Sequence, residues 1–199
     1  MVRNRDPFAT ALNSLRTRLA DGVYAPGAPI VIFDEARRLR LSTTPVREAL
    51  AWLSGSGLVE HSATGGYRAL SLEVGGVRDD YAFRAACLRM SLERAGASPI
   101  GDVPAGGASA LFQWMVGRCG DAALSRAYRA VDLHLDRLAR AERRILGDPA
   151  TALEEMRAAL RQGRPDDVAE HIAAYHHQRI VAAAALVFEA AQPPPVGPD

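Results

Sequence analysis

The stretch Leu41–Arg68 reads LSTTPVREALAWLSGSGLVEHSATGGYR, and it decides the fold of the N-terminal part of the chain. Thr44 is predicted to cap a helix that has Pro45 at its first position, where a missing N–H costs nothing. Gly55 and Gly57 are expected to end this helix. Its apolar stripe consists of Val46, Ala49, Leu50 and Leu53. The stretch therefore opens with a short amphipathic helix.

A glycine-tipped hairpin is predicted directly after this helix. Residues 58–61 and 67–70 are short strand candidates, and residues 62–66 between them contain two glycines that can supply positive φ. Two further helices are predicted upstream, over residues 7–21 and 33–39. Three short helices followed by a hairpin are the order of a winged helix-turn-helix domain.

The pattern beyond Leu72 predicts an all-α antiparallel helical bundle, so the fold class is mainly α. The expected helices cover residues 77–95, 111–119, 124–138, 149–162 and 165–190. Residues 98–108 are rich in glycine and proline and are predicted to form a loop. The expected domains are a winged helix-turn-helix domain over residues 1–73, an all-helical domain over residues 74–191 and a disordered tail over residues 192–199.

Composition narrows the class of protein. The chain has 199 residues and a formal net charge of +1, and all 24 of its Lys and Arg residues are Arg. Cys87 and Cys119 are too few to indicate a disulfide framework, and there is no apolar run of transmembrane length and no secretory signal. We therefore expect a cytoplasmic protein. P-loop, GxSxG, HExxH and CxxC motifs are absent, so we expect no enzyme and no catalytic residues.

The N-terminal motifs resemble those of the GntR family of bacterial transcription regulators. The resemblance rests on the run TPVREAL at Thr44–Leu50, on GLVE at Gly57–Glu60 and on the GGYR wing that ends at Arg68. These motifs agree with the family in order and spacing. The helical part is similar to the effector-binding and dimerisation domain of the FadR-like subgroup, the FCD type.

The FCD resemblance rests on fewer residues. Tyr81 and Arg84 match the Tyr-x-x-Arg opening of that domain, and Phe112 matches the phenylalanine of its Asp-x-x-Phe-His motif. The chain between Ala97 and Leu111 is too short for an extra helix that the family has. We therefore expect a shortened FCD-type domain.

The resemblance implies that the winged module binds double-stranded DNA. The helix after Ser42 is expected to enter the major groove, with the wing against the minor groove or backbone. Arg47 is the only basic residue of that helix and is expected to contact guanine or phosphate, although a surface salt bridge is the alternative. The candidate DNA-binding residues are Ser42, Thr43, Thr44, Arg47, Gly65, Gly66, Arg38 and Arg68. Thr43 stands where the family usually has Arg, which weakens the expected base recognition.

The resemblance also implies an effector site within the bundle. In the family the residue equivalent to Arg84 often faces the pocket, where it can pair with the carboxylate of an organic acid. A salt bridge from Arg84 to Asp80 or another acid is the alternative. Ser109, Gln113 and His176 are expected to line the same cavity.

Many proteins with this domain bind a metal through one Asp and three His. The matching positions here are Ser109, Gln113, a position near Leu153 and either Tyr175 or His176. Since Ser and Gln do not replace Asp and His as ligands of a transition metal, we expect no metal and no cofactor.

The sequence thus predicts a homodimeric, sequence-specific transcription regulator that is controlled by a small metabolite and has no membrane partner. Two alternatives stay open. One is a degenerate regulator that binds DNA weakly and pairs with an intact relative, and the other is a small-molecule-binding module that no longer regulates transcription.

Overall fold

The computed structural model describes residues 6–63, 65–96 and 102–192. These residues are mainly helical and form two compact units. The first unit contains the described residues up to Leu72, residues 137–140 and the described residues from Phe188 onward. The second contains residues 73–136 and 141–187. Within the described part of the chain, no helix is both long and apolar enough to cross a membrane.

Three helices build the first unit. Helix α1 (Pro7–Ala20) is capped by Asp6, whose carboxylate accepts a hydrogen bond from the Phe8 amide at 3.0 Å. Helices α2 (Ile32–Leu39) and α3 (Thr43–Gly55) follow. The fully buried side chains between the helices are Ala11, Leu15, Val46, Ala49, Leu50 and Leu53. Burial of this apolar stripe of α3 against α1 fixes which face of α3 remains in solvent.

Helix α3 begins earlier than the sequence predicted. Ser42 is its N-cap, with extended backbone angles of φ −70° and ψ 166°, so the prediction of Thr44 as the cap is wrong. Pro45 therefore lies at the third helical position. Both Ser42 and Thr44 are favourable cap residues, and proline is tolerated there because the first-turn N–H groups have no partner within a helix.

The turn between α2 and α3 depends on Arg40. This residue adopts the left-handed conformation, with φ 56° and ψ 42°, and no other described non-glycine residue has a positive φ. The turn closes through the Leu41 amide, which donates to the Ala36 carbonyl at 3.0 Å. An arginine at a position that glycine adopts more readily stores backbone strain in the helix-turn-helix.

A small antiparallel sheet completes the first unit. Its strands are β1 (Pro29–Ile30), β2 (Val59–His61) and β3 (Tyr67–Ala69), in the order β1-β3-β2. In the register, Arg68 lies opposite Glu60 on one side and Pro29 on the other. The hairpin of β2 and β3 was predicted, whereas β1 was not, because two residues in a proline-rich loop carry no strand pattern.

The rest of the described chain is again helical. The helices are α4 (Val74–Ala95), α5 (Ala108–Arg118), α6 (Ala122–Leu135), α7 (Ala139–Ile145), α8 (Ala150–Arg161) and α9 (Pro165–Ala190). A single apolar core fills the second unit, and its buried members include Leu88, Phe112, Tyr128, Leu153, Met156 and Ile172. A winged helix-turn-helix followed by a helical bundle confirms the predicted fold class.

Two helix boundaries beyond Leu72 correct the sequence prediction. A single helix over residues 124–138 is wrong, because α6 ends at Leu135 and a 3₁₀ turn over Asp136–Leu138 leads into α7. Leu135 and Leu138 are both buried, and a spacing of three suits either kind of helix. Pro149 caps α8 instead of starting it, although the Asp148 carboxylate does accept from the Ala150 amide at 3.1 Å.

Two predicted irregular segments fall partly outside the described residues. Of the loop expected over residues 98–108, residues 98–101 are outside, residues 102–107 are irregular, and α5 begins at Ala108. Of the tail expected over residues 192–199, only Gln192 is described. Because α5 begins at Ala108, Ser109 lies in a helix, whereas the sequence predicted it at the edge of a loop.

Candidate nucleic-acid interface and buried polar cluster

The N-terminal end of α3 presents hydroxyl groups to solvent. Ser42 and Thr44 are exposed, and Thr43 is half-buried. Although Ser42 is the N-cap, its side chain makes no capping hydrogen bond. The Ser42 hydroxyl and the first-turn N–H groups of α3 are therefore available to an anion such as a phosphate.

Arg47 lies one turn further along α3 and is exposed. The buried stripe of the helix leaves this side chain on the outer face. Within the described part of the chain Arg47 forms no hydrogen bond or ion pair, so the salt bridge considered as its alternative role is not formed there. A free guanidinium at this place can reach guanine or phosphate.

Arg38, in contrast, is engaged inside the unit. Its Nε and Nη2 atoms donate to Oε2 of Glu35 at 3.0 and 2.7 Å, and Nη2 also donates to the Ser14 hydroxyl at 2.7 Å. The other Glu35 oxygen lies 3.3 Å from Arg18 Nη2. Glu35, only 5 % exposed, thus joins α1 to α2. Arg38 is accordingly held as a structural partner of Glu35, and its guanidinium is less available to DNA than that of Arg47.

The wing carries Gly65 and Gly66 at its exposed tip. Both have positive φ, 94° and 83°, and a Cβ atom at either position would meet nothing within 4 Å. The turn closes through the Ser62 amide, which donates to the Gly66 carbonyl at 3.0 Å. Arg68, half-buried, donates through Nη2 to the Ser62 hydroxyl at 3.0 Å. The glycines are therefore required by backbone conformation, and their lack of side chains also lets another surface approach the tip.

An apolar patch lies at the start of α2. Val31, the N-cap of α2, offers no side-chain cap and is 50 % exposed, and Phe33 is 60 % exposed. The Arg37 guanidinium lies 4.8 Å from the centre of the Phe33 ring. These residues were not among the sequence candidates, since the pattern of α2 was used only to locate the helix.

Hydrogen bonds join the predicted effector residues in the second unit, where Arg84 and His176 are buried. Arg84 of α4 is 6 % exposed; its Nε donates to Nε2 of His176 at 3.2 Å, and its Nη1 donates to Oδ1 of Asp132 at 3.2 Å. Its Nη2 is buried and has no hydrogen-bond partner among the described residues. Arg84 therefore pairs with an acid, but with Asp132 and not with Asp80.

Asp132 of α6 ties Ser109 and Gln113 to the same cluster. Its Oδ2 accepts from the Ser109 hydroxyl at 3.4 Å and from the Gln113 amide at 3.3 Å, and Gln113 also donates to Ser109. Asp132 is buried, whereas Ser109 and Gln113 of α5 are exposed. A polar path thus leads from the surface of α5 to the buried guanidinium of Arg84. We name Arg84, Ser109, Gln113, Tyr128, Asp132 and His176 the Arg84 cluster.

His176 is neutral in this cluster, and its tautomer is fixed. Nδ1 lies 2.7 Å from the Ile172 carbonyl, which can only accept, so Nδ1 carries the proton and Nε2 accepts from Arg84. Burial, together with the nearby Arg84 charge, lowers the pKa of His176 from 6.5 to about 3. Tyr128 is also buried, and burial, together with the nearby negative charge of Asp132, raises the pKa of its hydroxyl. The Tyr128 hydroxyl nevertheless makes no hydrogen bond of acceptable geometry among the described residues.

A second ion pair, between the buried Arg179 and the half-buried Glu142, lies in the same unit and has shorter hydrogen bonds. Glu142 accepts from the Tyr81 hydroxyl at 2.6 Å and from Nε of Arg179 at 2.8 Å. Arg179 Nη1 also donates to the Tyr175 carbonyl at 3.0 Å, and its guanidinium stacks on the Tyr175 ring at 3.3 Å. Burial and the Glu142 carboxylate raise the pKa of Tyr81. The hydrogen bonds of this pair have ordinary lengths, which is typical of a pair that stabilises the fold.

The residues present do not fit a transition metal. Ser109 and Gln113 stand at two of the positions where the resemblance predicted ligands, and Leu153, near which the third was expected, is part of the apolar core. His176 already accepts a hydrogen bond from a buried cation, whose charge opposes a metal ion beside it. In the described part of the chain no group of three or more His, Cys, Asp or Glu side chains is arranged to hold a metal.

Two open clefts in the second unit are lined by other residues. Their volumes are about 660 and 350 Å³. The larger contains Arg143, Leu153 and Arg157, and Arg157 is already held by the Pro104 carbonyl at 3.0 Å. None of the predicted effector residues lines either of these two clefts, and the exposed members of the Arg84 cluster are Ser109 and Gln113 of α5.

The sequence identified four members of the cluster but missed Asp132 and Tyr128. Both lie on the buried face of α6 together with Leu124, Val131 and Leu135. An acid on an otherwise apolar stripe is a signal that can be read from sequence, because a buried carboxylate requires a partner. The pairing with Arg84, 48 residues away, cannot be read in that way.

Comparison with known proteins identifies the fold. A putative transcriptional regulator GntR from Rhodococcus sp. RHA1 aligns with a TM-score of 0.71 and 16 % identity, over 89 % of this chain and 97 % of that chain. The E. coli protein McbR/YncC aligns with a TM-score of 0.66 and 15 % identity, over 90 % and 97 % of the two chains. Lar, which controls the expression of the Listeria monocytogenes agr system, aligns with a TM-score of 0.53 and 11 % identity, over 92 % and 98 %.

The comparisons by sequence gave no such match. No protein-family model and no curated protein matches the chain. At 11 to 16 % identity the structural likeness establishes a shared fold. The descriptions of two of these neighbours, the Rhodococcus protein and Lar, refer to gene regulation.

Proposed function

We propose that this protein is a DNA-binding transcription regulator of the GntR type. The observation that carries the proposal is the exposed guanidinium of Arg47 near the N-terminal end of α3, which has no partner among the described residues and lies beside the Ser42 hydroxyl, which makes no capping hydrogen bond. The glycine-tipped wing and the fold of the solved neighbours support it.

The chemistry assigns different tasks to these groups. Ser42, Thr43, Thr44 and the first-turn N–H groups of α3 bind phosphate and fix the register, while Arg47 reaches a base edge. A good base contact contributes about 1–3 kcal/mol of discrimination. A dimer that reads two half-sites doubles this to about 2–6 kcal/mol, a large part of the roughly 4–10 kcal/mol that separates specific from non-specific binding.

The helical unit is proposed to dimerise the protein and to bind an effector, as a shortened FCD-type domain of the FadR-like subgroup. The Arg84 cluster supports an effector site because Arg84 Nη2 and the Tyr128 hydroxyl are buried without a hydrogen bond of acceptable geometry in the described part of the chain. An effector controls DNA binding only if its affinity differs between the state that fits the operator and the state that does not. The homodimer is tested by light scattering coupled to size-exclusion chromatography.

A second candidate function is a weakly DNA-binding interaction protein. The apolar patch of Val31 and Phe33 favours it, because exposed apolar side chains at a helix start do not bind phosphate. The engagement of Arg38 by Glu35 removes a further positive group from the DNA side.

The deciding experiment is selection from a pool of genomic fragments at two salt concentrations. It compares the wild type with Arg47→Ala and with the matched control Arg126→Ala, which removes the same charge from an exposed position on α6. We expect the wild type and the control to select one paired half-site sequence and Arg47→Ala to lose that selection.

Other outcomes assign other roles. If Arg47→Ala keeps the preferred sequence but binds all fragments more weakly, with a salt slope smaller by about one, Arg47 contacts phosphate and not a base. If the wild type itself has no preferred sequence and loses affinity at moderate salt, the regulator proposal is wrong and the interaction protein is the better description.

A further inference from the structure

The Arg84 cluster differs from the Glu142–Arg179 pair in how well its polar groups are satisfied. The bonds to Glu142 measure 2.6 and 2.8 Å, whereas the four bonds from Arg84, Ser109 and Gln113 in the cluster measure 3.2 to 3.4 Å. The two bonds from Arg84, at 3.2 Å, lie at the long end of the ordinary range, and those from Ser109 and Gln113, at 3.4 and 3.3 Å, lie beyond it. The Arg84 cluster therefore has hydrogen-bonding capacity that the protein itself does not use.

Two polar atoms of the cluster make no hydrogen bond of acceptable geometry in the described part of the chain, although the Tyr128 hydroxyl lies close to the Asp132 carboxylate. Arg84 Nη2 offers donors, and the Tyr128 hydroxyl offers one donor and one acceptor, yet both are buried without a hydrogen bond. Asp132 accepts three hydrogen bonds, and a carboxylate has about four acceptor sites. Buried donors and acceptors without partners are expensive, so these groups indicate a polar guest.

The charges of the buried groups fix the kind of guest. Arg84 and Arg179 each carry one positive charge, Asp132 and Glu142 each carry one negative charge, and His176 is neutral, so the buried groups balance. A guest with a net negative charge would add an uncompensated charge beside two carboxylates. A guest with a net positive charge would do the same beside two guanidinium groups, and either case is unfavourable in a buried site.

We infer that the effector of the Arg84 cluster is a zwitterion of the free α-amino acid class, whose carboxylate binds Arg84 Nη2 and whose ammonium binds Asp132 and the Tyr128 hydroxyl. This inference rests on the proposed effector-binding function and changes its ligand class, since a simple organic acid supplies only the first of the two groups. The ammonium replaces the long bonds from Ser109 and Gln113, whose exposed side chains lie at the entrance to the cluster.

Thermal unfolding of the full chain with matched probes tests the ligand class. The probes are the common L-amino acids, and for each that stabilises the protein, the carboxylic acid that lacks its amino group and the amine that lacks its carboxylate. Citrate and Zn²⁺ are added as an organic acid and a metal. At about 100 times its Kd, a fitting amino acid is expected to raise Tm by about 5–10 °C, and neither half-molecule does so at the same concentration.

Two variants separate ligand binding from folding. Tyr128→Phe removes a hydroxyl that makes no hydrogen bond of acceptable geometry among the described residues, so the Tm without ligand changes little, while affinity for the amino acid falls about 10-fold. Asp132→Asn lowers the affinity for the amino acid by about 10–100-fold. The carboxylic acid without the amino group becomes the better ligand, because Arg84 then lacks its counter-charge. The matched control Asp166→Asn changes an exposed carboxylate at the start of α9 and leaves binding unchanged.

Each other result overturns the inference in a distinct way. If citrate or another organic acid stabilises the wild type more than any amino acid, the effector function stands and the ligand class is wrong. If Zn²⁺ stabilises it, the cluster is a metal site after all. If no probe changes Tm, the cluster is a structural element and the proposed effector site is wrong with it, while DNA binding by α3 is unaffected. If an amino acid stabilises the wild type and Tyr128→Phe equally, an effector binds but the ligand contacts assigned to the Arg84 cluster are wrong.

Discussion

The substitution His176→Gln is expected to make the protein less sensitive to acid. In the folded chain His176 is 1 % exposed, lies beside the guanidinium groups of Arg84 and Arg179 and is held as the neutral tautomer. Protonation would bury a third positive charge and would remove the acceptor for Arg84 Nε. In the unfolded chain nothing opposes protonation, so acid favours unfolding through this residue.

The magnitude follows from the two pKa values. The pKa of His176 falls from 6.5 in the unfolded chain to about 3 in the folded chain. Stability from this residue is thus complete above pH 6.5, declines below it by about 1.4 kcal/mol per pH unit, and is fully lost near pH 3. Between about pH 7 and about pH 5 the loss amounts to about 2 kcal/mol.

Urea denaturation at about pH 7, 6 and 5 measures this loss. The glutamine side chain of the variant offers an oxygen to Arg84 but cannot titrate, so the free energy of unfolding of His176→Gln is expected to fall by about 2 kcal/mol less than that of the wild type over this range. His177, its exposed neighbour on α9, supplies the control, and His177→Gln should retain the wild-type dependence. Equal pH dependence of the wild type and His176→Gln would refute the assignment of a buried, neutral His176.

Three further predictions concern the first unit. Arg40→Gly is expected to raise the free energy of unfolding by about 1 kcal/mol, measured by urea denaturation, because glycine relieves the left-handed strain at φ 56°; an unchanged or lower value contradicts that strain. Gly66→Ala is expected to lower the free energy of unfolding by about 1 kcal/mol, because alanine adopts a φ of 83° less readily than glycine does. The control Gly55→Ala lies in a helix with free space around it and should raise the free energy of unfolding slightly. Equal effects of the two variants in thermal unfolding would contradict the role of the turn. Glu35→Gln is expected to lower the free energy of unfolding by about 1–3 kcal/mol, as measured by urea denaturation. This loss is smaller than for a fully buried ion pair because the arginine partners of Glu35 are partly exposed. Glu48→Gln, at an exposed position, serves as the control.

Local rules made the first unit predictable. The apolar spacing of α3, the two wing glycines and the break between α2 and α3 are consequences of neighbouring residues along the chain. Errors occurred where two residues satisfy the same rule, as with Ser42 and Thr44 as caps, or where one spacing suits two helix types, as at Leu135 and Leu138.

The sequence by itself determined the helix-turn-helix, its wing, the exposed position of Arg47 and the apolar stripes of the bundle, because periodicity and turn chemistry are short-range. Only the tertiary structure decided that Arg84 pairs with Asp132, that Glu35 holds Arg38, and that His176 is buried and neutral. Those pairings depend on which side chains packing brings within about 4 Å of one another, and that distance decides whether a charge is free, paired or suppressed.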